Sequence, residues 1–99
     1  MTSWRNKRRA SVQATISEED SFSGWVFLLR GLKFNFSLSG SWVATVHFQR
    51  SFDGTTPLDV EEFTNNVERI GEEPEGIYYR FGVKEGNWTS GSVVGRISQ

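Results

Sequence analysis

Hydrophobic and polar residues alternate with a period of two along most of the chain, and no long stretch follows the 3.6-residue period of a helix. Ala10, Val12, Ala14 and Ile16 alternate with Ser11, Gln13 and Thr15, which predicts a first strand. Trp25, Phe27 and Leu29 predict a second. Leu32, Phe34, Phe36 and Leu38 alternate with Lys33, Asn35 and Ser37, a half-buried strand that Ser39-Gly40-Ser41 is expected to end. Trp42, Ala44, Val46 and Phe48 then alternate with Thr45, His47 and Gln49, and these two runs are expected to pair as a hairpin. Leu58 with Val60, a weaker segment over 67–70, the run Ile77, Tyr79, Phe81 and Val83, and a last strand over 93–97 follow.

Turn chemistry separates the runs: Ser23-Gly24, Asp53-Gly54, residues 71–76 with Pro74, and Glu85-Gly86-Asn87. Roughly seven to eight short strands punctuated in this way predict an all-β fold, a single antiparallel β-sandwich or a small barrel. Residues 58–69 compete as one or two helical turns, but Asn65-Asn66 and a weak apolar face favour extended chain.

Composition sharpens this picture without changing it. A chain of 99 residues is the size of one domain, and its 8 Phe, 4 Trp and 2 Tyr are enough large side chains to build a β core. There is no cysteine, so the fold must hold without disulfides. No apolar run approaches the length of a transmembrane helix, and the basic start is followed by Ala-Ser-Val-Gln-Ala-Thr rather than an apolar signal core, so a cytoplasmic origin is expected. Charge divides the chain in two. Arg5, Lys7, Arg8 and Arg9 hold 4 of the 11 basic residues, leaving 7 basic against 12 acidic, or −5, beyond them. Residues 1–9 are therefore read as an extended basic N-terminal arm and residues 10–99 as an acidic β domain.

Catalytic and metal chemistry find little to stand on. The stretch RSFDGTTPLDVEEF, residues 50–63, contains Asp53-Gly54 after an alternating run, the signature of a hairpin turn. Its carboxylates are too sparse for a calcium loop, and it matches only part of the Asp-box turn of sialidase-like propellers. His47, the one histidine, falls on the polar side of its strand and is expected to be exposed; no Gly-x-Ser-x-Gly elbow accompanies it. The pairs Glu18-Glu19, Glu61-Glu62 and Glu72-Glu73 are flanked by turn residues and read as solvated surface rather than as a glycosidase pair. No enzyme activity, metal or cofactor is expected.

The arm offers more. Trp4, Arg5, Lys7, Arg8 and Arg9 could grip phosphate and stack on a base, yet the body is acidic and shows no strand with basic residues interleaved among aromatics. An arm of opposite sign to its body suits docking on an acidic protein neighbour, including another copy, and nucleic acid is the weaker candidate.

The run FNFSLSGSWVATVHFQRSFDG, residues 34–54, resembles a segment of small β-sandwich proteins from tailed-phage and prophage structural gene clusters. There, a strand of the form Ser-Gly-x-x-x-(Ala/Gly)-Thr-Val leads into Gln-Arg-Ser-x-Asp-Gly. GIYYRFGVK at 76–84 and SGSVVGRISQ at 90–99 extend the similarity over most of the chain after Ala10, although the family more often continues with a second Gly and Thr-Trp where this chain has Thr55-Thr56-Pro57-Leu58. The resemblance implies a virion structural protein. The expected role is capsid decoration or cement, with the arm binding the phage major capsid protein or other virion proteins and neighbouring copies in a homo-oligomeric assembly. The alternative it leaves open is a tail or fibre accessory module that contacts a host surface glycan through Tyr78 and Trp88.

Overall fold

Among the described residues the alternation resolves into nine antiparallel strands: β1 (Ser11–Ile16), β2 (Ser21–Phe22), β3 (Val26–Leu28), β4 (Lys33–Ala44), β5 (Val46–Ser51), β6 (Leu58–Phe63), β7 (Val67–Glu72), β8 (Ile77–Val83) and β9 (Trp88–Ser98). A computed structural model describes residues 10–99, and among these there is no helix. One sheet has the order β1-β9-β4-β7. The other runs β8-β5-β6, with the short β2 and β3 both pairing β8 along the edge that β5 leaves free. The fold is thus the expected sandwich. The strand count exceeds seven to eight because the two-residue β2, ahead of the Ser23-Gly24 turn, pairs with β8 although no alternating run predicted it.

The two inner faces meet on an aromatic core. Phe34, Phe36 and Leu38 of β4 face Phe48 of β5 and Tyr79 and Phe81 of β8, with Phe36 lying 4.5 Å from Phe48 and 5.8 Å from Phe81 between ring centroids. Each fully buried ring contributes about 1.5–3 kcal/mol relative to exposure, which lets a small chain without disulfides hold together. Gly95 on β9 makes room for this packing, since a Cβ there would stand 2.4 Å from the Phe81 ring.

Four local expectations fail, each for a tertiary reason. Ser39-Gly40-Ser41 does not end a strand; β4 runs through it because β9 brings Ser92 and Gly91 opposite Ser41 and Trp42 in unbroken register. The hairpin between the two apolar runs does not form either. After a register shift at Val43/Ala44 the chain crosses at Thr45 into the other sheet, so the second run is divided between β4 and β5, which do not pair. In β3 the inward residues are Val26 and Leu28, whereas Phe27 and Leu29 are exposed, because pairing with β8 aligns Val26 and Leu28 with the inward Tyr79 and Ile77. His47 is buried, at 4 % exposure, since β5 is an interior strand flanked by β8 and β6. The contest over 58–69 ends in extended chain, as β6, a short turn and β7.

Candidate partner-binding surfaces

The turn at Asp53-Gly54 is built by its own side chains. Ser51, fully buried at the end of β5, accepts the backbone N–H groups of Asp53 and Gly54 at 3.3 and 2.9 Å and donates its hydroxyl to Asp53 Oδ1 at 2.8 Å. Asp53 Oδ1 in turn accepts the N–H groups of Thr55 and Thr56, both at 2.8 Å. The N–H groups of Thr56 and Thr55, and then the Ser51 hydroxyl, hold the Asp53 carboxyl well below the usual carboxylate range. The turn expected at Asp53-Gly54 is present and the Asp53 carboxylate organises it, and no group of three or more potential metal ligands lies together among the described residues.

The outer face of the β8-β5-β6 sheet carries a layered polar network. The Arg80 guanidinium lies 4.2 Å from the Phe22 ring centroid and 4.5 Å from that of Trp25, and burial lowers its pKa from the ordinary arginine value. Its Nε donates to Gln49 Oε1 at 2.9 Å, Gln49 Nε2 donates to Asp59 Oδ1 at 2.8 Å, and Lys84 Nζ donates to Asp59 Oδ2 at 2.5 Å. The Lys84 and Gln49 bonds keep the Asp59 carboxyl below its ordinary range. Gly82 permits the layer, because a Cβ there would stand 2.3 Å from Phe22.

At one end of the core, Glu73 is fully buried, contrary to its reading as solvated loop. Its Oε1 accepts the Tyr79 hydroxyl, its Oε2 accepts the Glu75 N–H at 2.9 Å, and Arg50 Nη2 approaches to 3.9 Å. Its backbone also joins the 31–32 loop, accepting from Gly31 at 2.7 Å and donating to Leu32 at 3.3 Å. Burial, and then the bond to Glu73, raise the Tyr79 pKa above the usual phenol range. The cluster ties the β7–β8 connection to the core.

The surface left over is the side where the two sheets end. β6 and β7 are the outermost strands of opposite sheets, and a groove of about 200 Å³ between them reaches Phe34, Phe36 and Phe48. Arg69 crosses it, with Nη1 and Nη2 donating to Glu61 at 2.9 and 2.8 Å and the guanidinium 5.3 Å from the Phe63 ring centroid. Val60 and Ile70 flank the groove, and Ile70 is 71 % exposed. In sequence, residues 58–75 carry 7 acidic side chains (Asp59, Glu61, Glu62, Glu68, Glu72, Glu73 and Glu75) against Arg69 alone, a net −6, of which Glu73 is buried beside Arg50 and Asp59 is bonded to Lys84. The rest of the body, with 6 basic and 5 acidic residues, is +1.

No family model, curated protein or solved structure matches the chain. The surfaces therefore stand on their own chemistry. Trp4, Arg5, Lys7, Arg8 and Arg9 lie outside the described residues. Tyr78 is half-buried on β8, edge-on to Phe27 with centroids 5.0 Å apart, beside the Asp53-Gly54 turn. Trp88 is half-buried at the start of β9 and packs against the core, opposite Ala44. The two therefore belong to different sheets and do not form one platform. A shallow depression of about 460 Å³ near Trp88 is lined instead by Trp42, Asn65, Asn87 and several threonines. Sequence reasoning missed Glu73, Arg80 and the β6–β7 groove. The crowding of acidic residues over 58–75 was the one signal available for the last.

Proposed function

We propose that this chain is a non-catalytic structural protein of a tailed-phage virion, a capsid decoration or cement subunit. Its arm, through Trp4, Arg5, Lys7, Arg8 and Arg9, binds the capsid surface and neighbouring copies. The observation that carries the reading is the side of the sandwich formed by β6 and β7. Two strand edges, a flanked apolar groove and carboxylates including Glu61, Glu68 and Glu72 lie there together, as suits a module that works by contact with protein neighbours. Among the described residues, the titratable groups with shifted pKa values, Asp53, Asp59, Tyr79 and Arg80, are each bound into turns and strands and do not converge on one cleft. Particles assembled with the full chain should carry it at a copy number comparable to the major capsid protein, and a chain lacking residues 1–9 should fold but fail to join them. Quantitative mass spectrometry of purified particles reads both, and normal incorporation of the shortened chain refutes the role of the arm.

The depression beside Trp88 favours a second reading, a tail or fibre accessory module that binds a host glycan. Its indole, amide and hydroxyl lining carries no charged side chain, a chemistry that suits a neutral sugar. Glycan-array binding lost on Trp42→Ala would support this reading, and absence of binding by the full chain would remove it.

A further inference from the structure

We propose that the acidic β6–β7 side is the receptor for the basic arm of a second copy of this chain, an inference that rests on the assembly reading and specifies its contact between copies. Three observations converge on it. The first is charge: leaving aside Glu73, buried beside Arg50, and Asp59, bonded to Lys84, residues 58–75 still hold five carboxylates, Glu61, Glu62, Glu68, Glu72 and Glu75, against Arg69, and the arm supplies four cations within five positions, Arg5 to Arg9. Attraction between the two therefore favours the acidic edge strands β6 and β7.

The second is the form of that side. β7 pairs with β4 along one edge only, so the backbone groups along its other edge have no strand partner among the described residues. On its outward face Glu68, Ile70 and Glu72 follow one another, aligned with the outward Ser37, Asn35 and Lys33 of β4. An extended arm would place Arg5, Lys7 and Arg9 on a common face at the same spacing. Laid alongside β7, it would set two of these cations against Glu68 and Glu72, with the methylene stem of Lys7 over Ile70.

The third is reach. Ala10 immediately precedes β1, and the sheet order β1-β9-β4-β7 puts β7 three strand spacings away, about 14 Å. The backbones of Arg9 and Arg8, one and two residues before Ala10, stay within about 7 Å of it. A chain's own arm thus brings at most part of its charge to its own β7, whereas the arm of a neighbour can bring all of it. Exposed ion pairs are individually weak, so the contact is expected to be salt-sensitive in solution and strengthened when copies are held side by side on a particle.

The test uses the full chain. Unlabelled and ¹⁵N-labelled protein are mixed at low ionic strength and treated with a zero-length carbodiimide, which joins an amine to a carboxylate in direct contact. The proposal expects mixed-label conjugates joining Lys7 to Glu68 or Glu72, suppressed by added salt. It also expects sedimentation as a larger species at low salt, lost in Glu68→Lys/Glu72→Lys, whose substitutions sit on an exposed edge. Conjugates confined to one label would show that the arm docks on its own chain and would overturn the proposal. So would Lys7 conjugates spread equally over Glu18, Glu19 and Glu85, or a monomer at low salt with no Lys7 conjugate, in which case the edge charges serve to blunt strand pairing. Copy number per particle is read separately. A chain that joins particles without mixed-label conjugates loses this inference and keeps the assembly reading, while the reverse outcome keeps the contact and removes the virion role.

Discussion

Replacing Glu73 with Gln should destabilise the domain far more than its place next to a surface turn suggests. The substitution keeps an oxygen for the Tyr79 hydroxyl but sets an NH₂ group against the Glu75 N–H and the Arg50 guanidinium, where Oε2 now accepts at 2.9 Å and attracts at 3.9 Å. A hydrogen bond to a charged acceptor contributes about 1.5–3 kcal/mol, and removing one partner of a buried ion pair costs about 3–5 kcal/mol. Arg50 is one-third exposed, so water relieves part of its loss and the lower end applies. The expectation is a loss of about 3 kcal/mol, or roughly 12–24 °C in melting temperature for a domain of this size.

Urea unfolding followed by far-UV circular dichroism measures the difference. Tyr79→Phe serves as the companion, because it removes the hydroxyl and leaves the carboxylate with Glu75 and Arg50; about 1.5–3 kcal/mol is expected. Adding both substitutions should cost less than the sum of the two, since they share one hydrogen bond. A Glu73→Gln protein within about 0.5 kcal/mol of the parent would refute the reasoning, because substitutions at ordinary surface positions fall in that range.

The same cluster sets a response to alkali. Tyr79 has a raised folded pKa, so its contribution is complete below the unfolded tyrosine value of about 10 and is lost as the pH climbs through the folded value. The parent should lose stability above about pH 10 more steeply than Tyr79→Phe, and equal slopes in urea titrations would contradict this. Asp53 behaves in the opposite sense: its depressed pKa gives a contribution present above about pH 4 and lost as the pH falls, so Asp53→Asn should flatten the acid limb of the stability profile. An unchanged limb would show that the turn does not depend on the charge. Arg80→Ala removes the guanidinium from between Phe22 and Trp25 and leaves Gln49 Oε1 without its donor, for an expected loss of about 1–3 kcal/mol that a shift in urea midpoint would reveal.

The fold class was legible because inner and outer faces of a sandwich enforce a period of two, and Phe34, Phe36, Leu38, Ile77, Tyr79, Phe81 and Val83 obey it. The misreadings arise where a second partner decides. Ser39-Gly40-Ser41 looks like a turn until β9 presents a matching Ser92-Gly91 across the ladder. His47 and Gln49 look exposed until β5 proves interior and Arg80 with its two aromatics covers the sheet from outside. Glu73 resembles its neighbours Glu72 and Glu75 in sequence, and only the Tyr79 hydroxyl and Arg50, brought from β8 and β5, distinguish it. These pairings join residues distant in sequence, so no local pattern announces them.

The acidic side is the instructive exception, a functional candidate whose main signal is local. β6 and β7 are consecutive and joined by three residues, 64–66, yet the chain places them at the outer edges of opposite sheets. A sequence-local block of charge is therefore carried by two edge strands of one side, with Asp59 and Glu62 opposite Gln49 and His47 of β5, Glu68 and Glu72 opposite Ser37 and Lys33 of β4, and Glu73 withdrawn into the core. The crossing at Thr45 prepares this arrangement: by moving from β4 into β5 the chain enters the second sheet, and the hairpin through Asp53-Gly54 then sets β6 beyond β5. The return to β4 through β7 closes that side with Arg69 bonded to Glu61 across the gap. Had the two apolar runs formed the simple hairpin their pattern suggested, β5 would have paired with β4 and displaced either β7 or β9 from it. The same topological step that defeats the local reading of residues 33–48 thus brings the acidic strands β6 and β7 to the same side of the sandwich.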